Sequence, residues 1–297
     1  MDTFKGTQSR VAVEGLMALE EELWSSWDII FDGLDERGWF HKHGKDWVFA
    51  DVPYHLAYIE RDVVANSIIM GANLPESSRV ELKTIADLNK WNEKKFAERP
   101  FGQRATESLV QSRKARDSVR HAMAGLSDND LIRPAWCITP PTRGMRTVEF
   151  LLKWDILHNW TELITMRSYV HRSDPVLSPE LNHTAISMMM KMMPCFINRS
   201  QAQGREISVL MEFTDPGVGT WNLDIDGRVL TCEENDKKAN LVMKMRSDIF
   251  VMMSGGLINP MVAMLNGTIR VHGLRYVPVF GRLMAPLQPN QEIMPVE

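Results

Sequence analysis

The period of the apolar residues changes partway along this chain, and that change limits the folds open to it. Over residues 10–34, "RVAVEGLMALEEELWSSWDIIFDGL", apolar side chains recur at spacings of three and four, which lines one face of a helix. A second helix is expected from about Asp51, with Pro53 tolerated in its first turn. A third helical region spans 77–124 and breaks at "ERPFGQ", because Pro100 disfavours a helical residue before it and Gly102 weakens the next turn. A fourth runs from about Thr147 to Tyr169, after the turn-rich "TPPTRGM". Further on the pattern shortens: "EISVLMEFTD", "GTWNLDIDGRV" and "ANLVMKMRS" are partly alternating runs bounded by Gly, Asp and Asn, as antiparallel strands are. "SDIFVMMSGG" reads as a helix capped by Ser247 and closed by glycine, and "GTIRVHG" as a last strand. The expected architecture is an all-α four-helix bundle over residues 1–172, then an α+β domain with a mainly antiparallel sheet over 173–297. The prolines and serines of "HRSDPVLSPEL" mark the boundary.

Two domains of ordinary size suit 297 residues. Apolar and charged fractions of 44% and 24% belong to a soluble globular protein, and a net charge of −4 argues against a nucleic-acid partner. No apolar run is long enough to span a membrane, and "MDTFKGTQSR" lacks the apolar core of a signal peptide, so the expected location is cytoplasmic. Cys137, Cys195 and Cys232 are odd in number and form no CxxC pair, which fits buried thiols rather than disulfides or a cysteine zinc site. Methionine is abundant, with 20 copies clustered in "AISMMMKMMPCF" and "LVMKMRSDIFVMMSGG". Flexible thioethers fill cores and also line pockets for apolar ligands; the sequence leaves both uses open.

In the fourth helix, "DILHNWTEL" places Asp155, His158 and Glu162 at offsets of three and four, where side chains share a helix face. His55 lies on the second helix among Val52, Leu56 and Ile59, so it is expected to face inward. His55, His158 and Glu162 would give two imidazoles and a carboxylate, a donor set that leaves coordination positions open for water or substrate. Zinc is the simplest ion for it; iron, nickel and manganese accept the same donors. Asp155 either replaces Glu162 as ligand or orients an imidazole from behind. Buried His and Glu that merely pair with each other are the plain alternative. His41 and His43 in "HKH" form a rival pair, expected to be solvated on a Gly- and Lys-rich loop. Arg143 and Arg146, just before the fourth helix, are either a clamp for a substrate carboxylate or solvated loop charges.

"WVFADVPYHLAYIERDV" resembles the segment around the first metal histidine of DinB-type four-helix domains. "LNKWNEKKFAER", "ARDSVRHAMAGLSDNDL" and "DILHNWTEL" are similar to the rest of the branch found in mycothiol-dependent maleylpyruvate isomerases. The resemblance covers most of residues 10–170 and puts the family's metal ligands on His55, His158 and Glu162. Two departures stand out: that branch carries a carboxylate where this chain has Trp154, and ordinary DinB proteins carry His where it has Glu162. "GTWNLDIDGRV" with "SDIFVMMSGGLINPMVAMLNGTIRVHGLRYVPVFGRLM" resembles sterol carrier protein type 2 domains, which enclose an apolar tunnel. That resemblance makes Met188, Met189, Met192, Met252, Met253 and Met264 candidates to line a pocket.

Together the resemblances imply a metal-dependent isomerase or thiol transferase, with a divalent metal, a low-molecular-weight thiol and a small-molecule or lipid-like substrate held between the domains. The competing class is a non-catalytic lipid or sterol carrier whose bundle serves for docking or for pairing into a homodimer.

Overall fold

The computed structural model describes residues 9–43, 47–167, 176–202, 204–226, 229–284 and 287–296. Helix α1 (Val11–Asp32) buries Val13, Leu16, Leu23, Trp24, Trp27, Ile30 and Phe31 along one stripe, as its spacing dictates. Its first turn is held by Asp128, whose carboxylate accepts from the Ala12 and Val13 N–H groups at 2.9 and 3.1 Å. The second expected helix is a rod of three parts: α2 (Val52–Tyr58), a π-helical turn over Ile59–Ala65, and α3 (Asn66–Met70). The third region breaks at "ERPFGQ" as expected, giving α4 (Ile85–Ala97) and α5 (Ala105–Ala124). Helix α4 starts on a capping box in which Thr84 and Asp87 bond each other's backbone N–H at 3.0 Å. Helix α6 (Val148–Arg167) carries "DILHNWTEL".

Two short hairpins interrupt the helical half, so it is not purely α. Strands β1 (Lys42–His43) and β2 (Trp47–Val48) form the first, and β3 (Pro134–Cys137) with β4 (Gly144–Thr147) the second. Both are too short for alternation to announce them.

The second half opens with α7 (Pro179–Met192), capped by the Ser178 hydroxyl, and tightens into a 3₁₀ turn at Pro194 before the short α8 (Arg199–Ala202). A five-stranded sheet follows: β5 (Glu206–Phe213), β6 (Thr220–Asp226), β7 (Val229–Glu234), β8 (Leu241–Met245) and β9 (Arg270–His272). In the order β7-β6-β5-β8-β9 every pair is antiparallel except β5 with β8, so the sheet is mixed. Between β8 and β9 lie α9 (Ser247–Ser254) and α10 (Pro260–Leu265), and α11 (Val277–Leu283) follows. Ser247 is not the cap of α9. Its N–H donates instead to Asp215 at 2.6 Å, and Arg246 holds the cap position. Gly273 admits no side chain: its φ is +86° and a Cβ there would stand 2.1 Å from the Asn240 carbonyl oxygen.

The helical and sheet-bearing parts share one continuous apolar core. Trp160 of α6 donates its indole N–H to Asn182 of α7 at 3.0 Å, and Glu22 of α1 accepts from the Ser178 N–H at 2.5 Å. The last residues cross back over the helices, with Pro289, Ile293 and Val296 bonding to Ala86, Lys83 and Pro141. Helix α6 thereby lies between the two parts. Residues 168–175, which include the expected boundary at 172–173, lie outside the described residues.

Candidate metal centre

His55 projects from α2 and His158 from α6, and their Nε2 atoms stand 2.9 Å apart. Glu162 adds a carboxylate one turn further along α6, so that one ligand atom from each of the three lies within 4.8 Å of the others. These are the three residues that the helical spacing and the resemblance single out. The structure adds a fourth. His43, at the end of β1, is buried and donates from Nε2 to the Glu162 carboxylate, whereas the sequence suggested a solvated loop. Aromatic rings surround the group: Trp47 packs 4.7 Å from His55, and Trp154 stacks on His158 at 5.4 Å. Trp154, one helical turn before His158, forms a wall of the group.

The protonation states suit cation binding. Tyr58 donates its hydroxyl proton to Asn92 Oδ1 at 2.9 Å, which leaves its oxygen free to accept from His55 Nδ1 at 2.5 Å. That chain puts the His55 proton on Nδ1 and turns the Nε2 lone pair toward His158 and Glu162, the tautomer a metal ligand requires. Burial, reinforced by His158, pushes the His55 pKa down to about 3, and burial lowers that of His158 as well. Burial by itself would raise Glu162, but the His43 hydrogen bond and the neighbouring imidazoles hold it at about 2. At neutral pH the group therefore offers neutral imidazoles and one carboxylate charge. Nitrogens sharing one tetrahedral zinc stand roughly 3.3 Å apart given ordinary Zn–N bonds. The observed 2.9 Å needs only a small opening. Glu162 is 22% exposed, so the group has a wet side.

Asp155 is not part of this group. Its carboxylate is fully buried, accepts from Asn159 Nδ2 at 3.1 Å and belongs to a second polar cluster with Glu20 of α1 and Glu60 of the π-helical turn. Burial pushes Asp155 up to about 7. Burial first, and then repulsion from the Asp155 carboxylate, holds Glu20 and Glu60 well above the usual carboxylate range. Neither Glu20 oxygen has a hydrogen-bond partner among the described residues; Glu60 accepts from the Trp24 indole at 2.9 Å. Arg116, 2% exposed, favours the ionised form of Glu60 and donates to the Trp24 carbonyl and to Asp28. Sequence reasoning passed over Glu20 and Glu60, although Glu20 falls in the apolar register of α1.

Arg143 and Arg146 are spent on the loop and the chain end. Arg143 donates to the Pro140 and Ile293 carbonyls and to Glu292 at 2.7 Å, while Arg146 donates to the Thr142 and Arg143 carbonyls and stacks on Phe150. Met188 and Met192 are buried in the shared core; Met189, Met252, Met253 and Met264 pack partly buried against it. A cavity of about 300 Å³ lies elsewhere, beside the π-helical turn between Asp62, Ser67, Met70 and Trp136, and shares no residue with the histidine group.

No protein-family model matches the chain, and no curated protein matches it. Among solved structures, a histidine-to-alanine mutant of the mycothiol-dependent maleylpyruvate isomerase is similar over 81% of this chain and 87% of its own length, at 10% identity and a TM-score of 0.51. The unmutated isomerase gives a TM-score of 0.49 over the same shares. A double mutant of the sec-alkyl sulfatase PisA1 is similar over 50% of this chain at 16% identity and a TM-score of 0.32, and the chain spans 26% of that sulfatase. The isomerase likeness is one of fold. No helix among the described residues is long and apolar enough to cross a membrane.

Proposed function

We propose that the chain is a metal-dependent enzyme of the DinB/maleylpyruvate isomerase type, a thiol-dependent isomerase or transferase acting on a small or apolar substrate. In this reading residues 1–172 form a DinB-like four-helix domain and residues 173–297 a sterol-carrier-like domain, in a cytoplasmic protein. The observation that carries it is the convergence of His55, His158 and Glu162 from α2 and α6, with the His55 tautomer set by Tyr58 and Asn92.

Zinc is the ion proposed. Bound here, it would act as a Lewis acid and keep a low-molecular-weight thiol in its thiolate form. His55 and His158 supply neutral donors from opposite helices, which fixes the spacing of the site on rigid elements. Glu162 supplies the compensating negative charge and, through its exposed edge, the side open to incoming substrate. His43 holds that carboxylate in place. Trp47 and Trp154 keep water off the imidazoles, which strengthens each electrostatic interaction among them.

The test is cobalt substitution followed by addition of a low-molecular-weight thiol. A sulfur-to-cobalt charge-transfer band that appears with thiol, and is absent in a His158→Ala variant, supports the reading. Cobalt that binds while no thiol perturbs its spectrum removes the thiol from it. The second reading, a non-catalytic lipid or sterol carrier, draws on the methionine-rich α7, α9 and α10; metal-free protein that copurifies with lipid would favour it.

A further inference from the structure

Helix α4 lies against the bundle with little apolar grip. Among its described residues Asn92 alone is buried, while Ile85, Leu88, Trp91 and Phe96 stay half-buried. Yet Asn92 accepts the Tyr58 hydroxyl proton at 2.9 Å, the bond on which the His55 tautomer depends. A hydrogen bond weakens steeply with misalignment, so this contact needs α4 held in place by other means. The C-terminal half of α4 is pinned by the Tyr54 hydroxyl, which donates to the Lys95 carbonyl at 3.1 Å, and by the Lys95 ion pair with Asp62 at 3.2 Å. The capping box of Thr84 and Asp87 shapes the first turn but is internal to it, and fixes no position on the bundle.

That first turn is pinned by the last residues of the chain. After α11 the sheet-bearing half sends residues 287–296 back across the helices as a strap. The first N–H groups of a helix have no intrahelical partner, and here the Ala86 N–H donates to the Pro289 carbonyl at 2.9 Å. Three residues earlier, the Lys83 carbonyl accepts from the Ile293 N–H at 2.9 Å. The strap is fastened in turn to the loop between β3 and β4. The Val296 N–H donates to the Pro141 carbonyl at 2.8 Å, and buried Arg143 holds the Glu292 carboxylate at 2.7 Å and the Ile293 carbonyl. Of the described strap residues Ile293 alone is buried, at 1% exposure. One apolar side chain and one ion pair thus seat the strap between α4 and the loop. The same loop gives the segment leading into α4 a further pin, from the Leu82 N–H to the Ile138 carbonyl at 3.1 Å.

We propose that Ile293 and Glu292 are positioning residues for the metal centre, acting through α4 and Asn92. The inference rests on the metal reading above. With the strap released, the start of α4 is left to the Leu82 bond, and Asn92, six residues past Ala86, shifts away from Tyr58. A Tyr58 hydroxyl without that acceptor turns its proton toward His55 Nδ1. The neutral imidazole then carries its own proton on Nε2, where it covers the lone pair a cation needs. Because the strap grows out of α11, the ligand geometry of the helical half depends on a segment of the sheet-bearing half.

The experiment compares the full wild-type chain with Ile293→Ala, Asn92→Leu and the double variant, each checked for wild-type helical circular dichroism. Hydrogen exchange of the metal-free proteins reads the helix: in Ile293→Ala the α4 amides exchange about tenfold faster while those of α1 are unchanged. Chelator competition reads the site: Ile293→Ala raises the zinc dissociation constant about tenfold, and Ile293→Val restores it. In the Asn92→Leu background Ile293→Ala adds no further loss, because both act on one contact. Should Ile293→Ala lose helicity, Glu292→Ala, at a carboxylate 53% exposed, carries the same comparison. Unchanged α4 exchange or unchanged zinc affinity in the strap variant overturns the proposal, and so do losses that multiply in the double variant. A wild type that binds no zinc defeats the metal reading and this inference together; a wild type that binds zinc no better than Ile293→Ala defeats this inference alone.

Discussion

Replacing Asp155 by Asn changes one charge at a fully buried position and keeps the oxygen that accepts from Asn159. The Asp155 carboxyl is pushed up from 3.8 to about 7, so the folded protein holds its proton over a range in which the unfolded chain has already released it. A folded-state value above the unfolded one means that the contribution of Asp155 to stability is complete below about pH 4 and is lost as pH rises to about 7. A shift of roughly three units at ~1.4 kcal/mol each corresponds to a loss on the order of 4 kcal/mol. Relaxation and water entry make that an upper value. Glu20 and Glu60 shift in the same direction and steepen the wild-type profile, and Arg116 opposes them at Glu60. Urea unfolding at intervals from pH 4 to pH 8 measures the difference. The variant and wild type should be about equally stable near pH 4, and the variant should gain a few kcal/mol over wild type by pH 8. Parallel profiles across that range would refute the buried-acid reasoning, whatever the histidine site does, since both proteins share it.

Other consequences follow from single contacts. Tyr58→Phe removes the acceptor that fixes the His55 tautomer and should weaken zinc binding roughly 10–100-fold in a chelator competition, with the fold intact. His43→Ala frees the Glu162 carboxylate and should raise the metal dissociation constant about tenfold or more by the same titration; no change would reduce His43 to a packing role. Gly273→Ala forces a Cβ against the Asn240 carbonyl at positive φ, and should lower stability by about 2 kcal/mol or more in denaturant melts.

The fold was legible where one side chain's position follows from its neighbours'. The stripe of α1, the break at Pro100 and the change of period after α6 are all local patterns, and His55, His158 and Glu162 were found because helical spacing aims side chains predictably. His43 was missed because a loop residue points where the tertiary structure places it, and "HKHGKDW" has no period to read. Asp155 was assigned to the wrong cluster for a related reason. Its spacing put it on the same helix face as His158, but the opposing residues that decide its company, Glu20 and Glu60, come from α1 and the π-helical turn. Glu20 offered a signal after all, since it interrupts the stripe Leu16, Leu23, Trp24 at a buried register; Glu60 offered none, as the widening of the turn around it is not written in "YIERDVV". The parallel pairing of β5 with β8 joins strands separated by two others in sequence, which local alternation cannot specify.

The central claim is that His55, His158 and Glu162 hold a metal ion. Elemental analysis of freshly purified protein measures it directly, on wild type and on a His55→Ala/His158→Ala double variant that keeps its helical circular dichroism. About one ion per chain in wild type, the stoichiometry of a single three-donor site, and none in the variant is the expected result. Wild-type protein free of metal after expression in zinc-supplemented medium, or a double variant that retains its ion, would contradict it.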